Sequence, residues 1–297
     1  IISAKTEHHA VLDTIEWLEK SQGAQAHWID VDSKGELDYQ QLADLISTRA
    51  DEIALISLMW ANNETGVITD IRKVCELANE KSIPVHSDAI AAAGHMPLSF
   101  KNSGLAAMTV SGHKLGAPIG IAVLIVGRSV KLESLVHGGG QERAMRSGTL
   151  NYPLALSFAA ALEESVAQLD WREKELGKLR DYLETEVSKL IPDVEFTTAK
   201  ANRLQDNSHM IFPGCQGDSL LFLMDLAGVE VSTGSACQAG VIGPSHVLMA
   251  MGKTEEEANG CLRITLGYNS TKADIDAFLG SIENAYAGAK RAGMSAR

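Results

Sequence analysis

Short apolar runs alternate with amphipathic stretches through the first 126 positions, and this alternation limits the fold more than any other feature. Residues 26–31, 53–60, 84–88, 106–111 and 120–126 read as strands. The stretches between them carry helical spacing. In residues 8–20, for example, Val11, Ile15, Trp17 and Leu18 share one face. Residues 38–50 and 71–82 read the same way, and the opening Ile1-Ile2-Ser3-Ala4 reads as the middle of a strand. Strands alternating with helices of this length predict an α/β fold, a mostly parallel sheet covered by helices on both faces. The strand at 120–126 is expected to run antiparallel to its neighbour.

The pattern changes at Asn151. Residues 151–190 are rich in Ala, Glu, Lys and Leu and have no glycine before Gly177, which predicts a long helix linking two domains. Beyond it, strands at 194–197, 208–212, 229–232 and 261–265 mix with helices at 219–227, 245–251 and 272–291. The expected organisation is a large domain over residues 1–150, a linking helix over 151–190 and a small α+β domain over 191–297.

Composition removes several function classes. The chain has 297 residues with 38 acidic against 26 basic side chains, a formal charge of −12, and no basic block suited to a nucleic-acid groove. No apolar run approaches the ~20 residues of a membrane span. Cys75, Cys215, Cys237 and Cys261 are scattered, without metal-ligand spacing, which fits a reducing, cytoplasmic setting and no metal site.

Five constellations carry chemistry. Val85-His86-Ser87-Asp88-Ala89 and Ser111-Gly112-His113-Lys114 both end apolar runs. A lysine and a carboxylate at neighbouring strand ends can hold pyridoxal 5'-phosphate (PLP), the amine through a Schiff base and the carboxylate at the ring nitrogen. Ser111 and His113 could bind its phosphate. Asn62-Asn63-Glu64-Thr65-Gly66 is either a plain turn or a turn that presents an amide to the cofactor. Residues 137–149 combine three glycines, two arginines and a Ser-Gly-Thr end, which suits either anion binding or a flexible hinge. Ser232-Thr233-Gly234-Ser235-Ala236-Cys237-Gln238-Ala239-Gly240 sets a cysteine among small residues, as expected of a mobile, accessible nucleophile. Cys75, Cys215 and Cys261 are expected to be inert. Finally, Arg263 stands in an apolar strand, which requires an anionic partner: a substrate carboxylate or a structural aspartate.

In combination and in order, these motifs resemble the cysteine desulfurases, fold-type I PLP enzymes related to class-V aminotransferases. The resemblance runs from Thr6-Glu7-His8 to the C-terminal helix and matches the branch with an extended cysteine loop. It implies a seven-stranded, mostly parallel sheet and a homodimer. It implies that Lys114 holds PLP and shuttles protons, that Asp88 pairs with the pyridinium, and that His8 stacks on the ring. Asn63 would reach the phenolic oxygen and the substrate carboxylate region. Ser111, His113 and the partner subunit's Thr149 would bind the phosphate. Arg263 would bind the carboxylate of L-cysteine, and Cys237 would take its sulfur as a persulfide for a sulfur-acceptor protein in iron–sulfur assembly or tRNA thiolation. Two features depart from the family. Ala91 stands where a glutamine usually contacts the cofactor. Family members also begin several dozen residues earlier, with a phosphate-cradling turn, so a missing N-terminal part is expected. The alternatives are a selenocysteine lyase, another aminotransferase-like PLP enzyme, or a catalytically impaired dimeric sulfur-transfer scaffold.

Overall fold

A computed structural model describes residues 1–234 and 243–295, with side chains to 292. Two sheets organise it. The first has six strands in the order β2-β1-β3-β4-β5-β6: β1 (Ile2–Ala4), β2 (His27–Ile29), β3 (Ile56–Ser57), β4 (Val85–Asp88), β5 (Ala107–Ser111) and β6 (Ala122–Val126). Strands β1 to β5 pair in parallel, and β6 joins β5 antiparallel with Ser111 opposite Ala122. The sheet therefore has six of the expected seven strands, because among the described residues nothing pairs with the outer edge of β6. Strand β3 is shorter than the apolar run suggested. Its ladder continues irregularly, with Leu58 N–H donating to His86 O and Trp60 N–H to Asp88 O.

The helices fall close to their expected places: α1 (His9–Gln22), α2 (Tyr39–Arg49) and α3 (Ile71–Asn79), with a short α4 (Phe100–Ser103) that periodicity did not indicate. Caps set their starts. Asp38 accepts from Gln40 and Gln41 N–H ahead of α2, and Asp70 accepts from Lys73 N–H ahead of α3. Ile2, Ile29, Ile56, Val85, Met108 and Val110 on the strands pack with Leu42, Ile46, Ile71 and Val74 on α2 and α3 to form the first core. Apolar and polar residues interleave along β1, β3, β4 and β5, and small polar side chains such as Ser3, Ser57 and Ser87 are buried with them.

The helical stretch 151–190 is present but interrupted. It consists of α5 (Tyr152–Ala167), α6 (Leu169–Trp171), a π-helical turn (Arg172–Leu176) and α7 (Gly177–Leu190). Phe158 at one end belongs to the first core; Leu176, Leu183 and Val187 at the other belong to a second. That second core surrounds a three-stranded antiparallel sheet, β7 (Glu195–Phe196), β8 (Asn207–Ile211) and β9 (Cys261–Thr265), packed by α8 (Gly217–Leu226) and α11 (Lys272–Ser295). Two short helices, α9 (His246–Ala250) and α10 (Glu255–Asn259), lie between them in sequence. The expected strand at 229–232 is only a single bridge, Ser232 to Arg263, because the polar Ser-Thr-Gly that follows offers no apolar face to extend the ladder.

Candidate active site

Because β1 to β5 are parallel, their carboxyl ends open on one edge of the sheet. His8 follows β1, Asn63 follows β3, Asp88 closes β4 and Ser111 closes β5. Four of the proposed site residues thus reach one edge from four separate strands.

Strand β5 runs into one turn of 3-10 helix, Gly112–Lys114. A Cβ on Gly112 would lie 2.8 Å from Ile121 Cγ2 and 3.0 Å from Phe158 Cδ2, so only glycine lets the turn pack so tightly against α5. This close packing fixes the base from which Lys114, exposed at the end of the turn, projects. Ser111 Oγ and His113 Nδ1 lie 2.7 Å apart. Asp88 is buried, pairs in register with Thr109 and accepts the Ile90 N–H at 2.9 Å. Beneath it a polar chain crosses three strands: Ser57 Oγ to His86 Nδ1 and His86 Nε2 to Thr109 Oγ1, each 2.9 Å. Burial lowers the pKa of His86, which favours a neutral ring.

His8 caps α1, its Nδ1 accepting the Ala10 N–H at 3.1 Å, which leaves the proton of the neutral ring on Nε2. Its neighbour Glu7 is fully buried. Glu7 Oε1 accepts the Met59 N–H at 2.7 Å, while Oε2 has no hydrogen-bond partner among the described residues. Burial pushes its pKa up to about 8; the Met59 N–H opposes that shift and the nearby Asp88 adds to it. Glu7 is therefore mainly a neutral acid at pH 7.

The turn after β3 is a working junction. Asn62 Oδ1 accepts from the N–H groups of Glu64 and Thr65, both at 2.9 Å. Gly66, with φ of 75°, closes it where a Cβ would lie 2.9 Å from Asn207 Cβ. Arg263 on β9 reaches across, donating from Nη1 to Asn63 O at 2.9 Å and from Nη2 to Ser232 Oγ at 3.2 Å. Its Nε and Asn63 Oδ1 are buried without partners among the described residues. Among the described residues no carboxylate pairs with Arg263 within 4.0 Å. Opposite it on β8, burial lowers the pKa of His209 to about 3, and the Arg263 charge adds to the effect. That histidine is neutral and does not compete with Arg263 for an anion.

Glu64 was not anticipated as more than part of a motif. It is 2 % exposed, and its Oε2 accepts the Ser245 hydroxyl at 2.6 Å. Burial raises its pKa to about 7 against the opposing effects of Ser245 and the charges of Arg263 and His8. Its legible signal is a carboxylate in a turn flanked by Trp60-Ala61 and Val67-Ile68.

The remaining expectations divide. Thr149 lies exposed between Gly148 and α5. The glycine-rich stretch before it contains three consecutive non-glycine residues with left-handed backbone, Glu142, Arg143 and Ala144 (φ 47°, 57° and 62°). Its ends are joined by Gly140 N–H to Ser147 Oγ and Gly148 N–H to Gln141 Oε1. Ala91, half-buried three residues after Asp88, carries only a methyl. Cys75, Cys215 and Cys261 are buried, and burial pushes their pKa values to about 11, 11 and 12. Such thiols hold almost no thiolate at neutral pH. Cys237 lies outside the described residues. No helix among the described residues is long and apolar enough to cross a membrane.

Comparison with known proteins agrees with this geometry. The family model described as aminotransferase class-V matches residues 1–278. An IscS-like cysteine desulfurase of Mycobacterium tuberculosis is 45 % identical over 297 residues, spanning 100 % of this chain and 75 % of that protein. A cysteine desulfurase IscS of Dictyoglomus turgidum is 39 % identical over 283 residues, covering 95 % and 71 %. Among solved structures, the NifS-like protein of Rickettsia africae superimposes with a TM-score of 0.87 at 30 % identity, covering 96 % of this chain and 75 % of that one. A chain with parallel strand ends bearing Asp88 and Lys114, and with relatives at this level of identity over its whole length, belongs to the class-V aminotransferase family and, within it, to the cysteine desulfurases.

Proposed function

We propose that this cysteine desulfurase binds PLP at the carboxyl ends of β1, β3, β4 and β5 and removes the sulfur of L-cysteine between those strand ends and Arg263. The observation that carries this reading is the contact between Arg263 and Asn63. These residues are 200 positions apart, and the contact leaves Arg263 Nε and Asn63 Oδ1 buried with no partner among the described residues. Buried polar atoms without partners are costly, and a ligand that supplies them restores the balance.

The donor set fits PLP: an exposed lysine on a rigid turn, a buried carboxylate one strand away, a hydroxyl–imidazole pair at 2.7 Å for a phosphate, and a histidine at the neighbouring strand end. We assign Lys114 to the aldehyde, Asp88 to the ring nitrogen, His8 to the ring face, Asn63 to the phenolic side, and Ser111, His113 and a partner subunit's threonine equivalent to Thr149 to the phosphate. When bound, PLP supplies an electron sink for negative charge developing on the substrate. Arg263 binds and orients the substrate carboxylate. Lys114 Nζ moves the proton at the substrate α-carbon. Cys237 Sγ bonds to the substrate sulfur as the Cβ–S bond breaks; the carbon fragment gains a proton and leaves as L-alanine, and Cys237 holds a persulfide. The high pKa values of the three described cysteines support Cys237 as the nucleophile by elimination.

The finer reading is a cytoplasmic homodimer that passes sulfur to an acceptor protein for iron–sulfur assembly or tRNA thiolation. We divide it into a PLP-binding domain over 1–150, a linking helix over 151–190 and a small domain over 191–297 that carries Cys237. The two apolar cores, one on each side of the helical stretch, support that division. Exposed Ile119, Leu135, Tyr152 and Leu156 around the segment bearing Thr149 support a second copy there. The test is product analysis: PLP-loaded protein with L-cysteine and a reductant should release alanine and sulfide in equal amounts, and Lys114→Ala should release neither. Alanine production that survives in Lys114→Ala would overturn the assignment.

A further inference from the structure

Glu64 is a buried acid that the mechanism leaves without a role. Glu64 sits in the turn that carries Asn63, and its own backbone is fixed twice. Its N–H donates to Asn62 Oδ1, and its carbonyl accepts from Asn207 Nδ2 at 3.1 Å. The side chain points to Gly234 and Ser245, on either side of residues 235–242 in the sequence. On the far side it accepts the Ser245 hydroxyl at 2.6 Å. Ser245 is itself buried and caps α9, its Oγ accepting the Leu248 N–H at 3.2 Å. On the near side lies Gly234, where a Cβ would stand 2.7 Å from Glu64 Oε2, 3.0 Å from Ser245 Cβ and 3.1 Å from Cys261 Sγ. Two residues earlier, Ser232 exchanges both backbone hydrogen bonds with Arg263 at 3.2 and 2.7 Å. Both flanks of the segment that contains Cys237 therefore converge on one carboxyl group, beside the residues assigned to the substrate.

We propose that Glu64 is a positioning residue that ties Gly234 and Ser245 to the Asn63 turn and so sets where both ends of the cysteine-bearing segment stand relative to Arg263. Its kinetic consequence rests on the assignment of Cys237 as nucleophile; the tie itself does not. A carboxyl in this place acts as an acceptor for Ser245, and an amide oxygen can do the same. The close approach of Gly234 also leaves no room for a side chain there, so the three groups are fitted to one another.

The experiment uses the full chain loaded with PLP and compares Glu64→Gln, Glu64→Met and Ser245→Ala. Hydrogen exchange reads the tie directly. Amides in 231–234 and 243–248 should exchange about tenfold faster in Glu64→Met and Ser245→Ala, the scale expected for one lost charge-assisted or buried hydrogen bond, while Glu64→Gln stays near the parent. The rate of persulfide formation on Cys237, followed by mass spectrometry, should fall about tenfold in the same two variants. The L-cysteine concentration that half-saturates the cofactor's spectral change should stay within about threefold, a change of well under one factor of ten. Ser245→Ala keeps the result interpretable if Glu64→Met does not fold. Unchanged exchange in both disruptive variants overturns the tie, as does a Gln variant as impaired as the Met variant. Loss of L-cysteine binding in step with the persulfide rate overturns the positioning role. If the parent carries its persulfide on Cys75, Cys215 or Cys261, the assignment of Cys237 falls, and the exchange measurements still decide the tie.

Discussion

Arg263 carries a guanidinium into an apolar strand, and its partners there are a carbonyl and a hydroxyl, not a carboxylate. A half-buried charge whose hydrogen bonds go to neutral oxygens is poised for an anion. Arg263→Ala should raise the KM for L-cysteine by roughly ten- to a hundredfold, the equivalent of ~1.5–3 kcal/mol, with PLP binding little changed. Parallel titrations of substrate and cofactor by visible absorbance check this. Cys237→Ser should retain PLP and the spectral response to L-cysteine but form no persulfide, since a hydroxyl is a far weaker nucleophile toward sulfur; mass spectrometry of the intact protein reads the outcome. Glu7 makes a pH prediction. Its folded pKa of about 8 stands above the ordinary carboxyl value of 4.5, so the folded state holds a proton that the unfolded state has lost between those values. Its stabilising contribution is complete below pH 4.5 and is lost as pH rises through 8. Melting temperatures of the parent and Glu7→Gln, compared at several pH values from 5 to 8.5, should show the parent losing ground to the variant as pH climbs. The full span is on the order of a few kcal/mol. A parallel response of both proteins would show that Glu7 titrates as an ordinary carboxylate.

At the scale of elements, the helical stretch 151–190 does two jobs at once. Phe158 enters the core of the first sheet, while Leu176, Leu183 and Val187 enter the core of the second. The π-helical turn between them, Arg172–Leu176, changes the helix phase so that each end presents its apolar face to a different core. Arg172 in that turn lies 3.5 Å from Asp206, which also meets His95 of the first half at 2.5 Å, so the junction carries a polar contact between the halves. Leu183→Ala removes a side chain with no solvent exposure and should cost ~2–5 kcal/mol in urea denaturation. Because the helix is shared, a single transition reported by probes in both halves should shift as one. Loss of signal from only the second half would show that the cores unfold separately.

For the molecule as a whole, several exposed apolar side chains lie in the sequence on either side of Thr149. Leu135 is 94 % exposed and Leu156 72 %. A second copy would cover them and bring its own threonine to the phosphate, so assembly and cofactor retention are linked. Leu156→Arg should shift the sedimentation of the protein toward the monomer and weaken PLP binding together. A monomeric variant that still binds PLP tightly would separate the two.

Much of this architecture was legible along the chain because it depends on local periodicity. The parallel strands, the antiparallel β6, helices α1 to α3 and the second-half sheet followed from apolar spacing, which burial on one or both faces imposes residue by residue. The motifs at strand ends were legible too, since Lys114 and Asp88 owe their places to their own strands. What periodicity could not give was the set of long-range contacts. The phase break at Arg172–Leu176 and the shortening of β3 come from packing between distant segments. So does the meeting of Glu64 with Ser245, 181 positions away, and of Arg263 with Asn63. Sequence fixes which side chains are able to bear charge or donate a hydrogen bond. Only the tertiary fold decides which of them lose water together, and it is that shared loss of solvent that raises the pKa values of Glu7 and Glu64 and leaves Arg263 waiting for an anion.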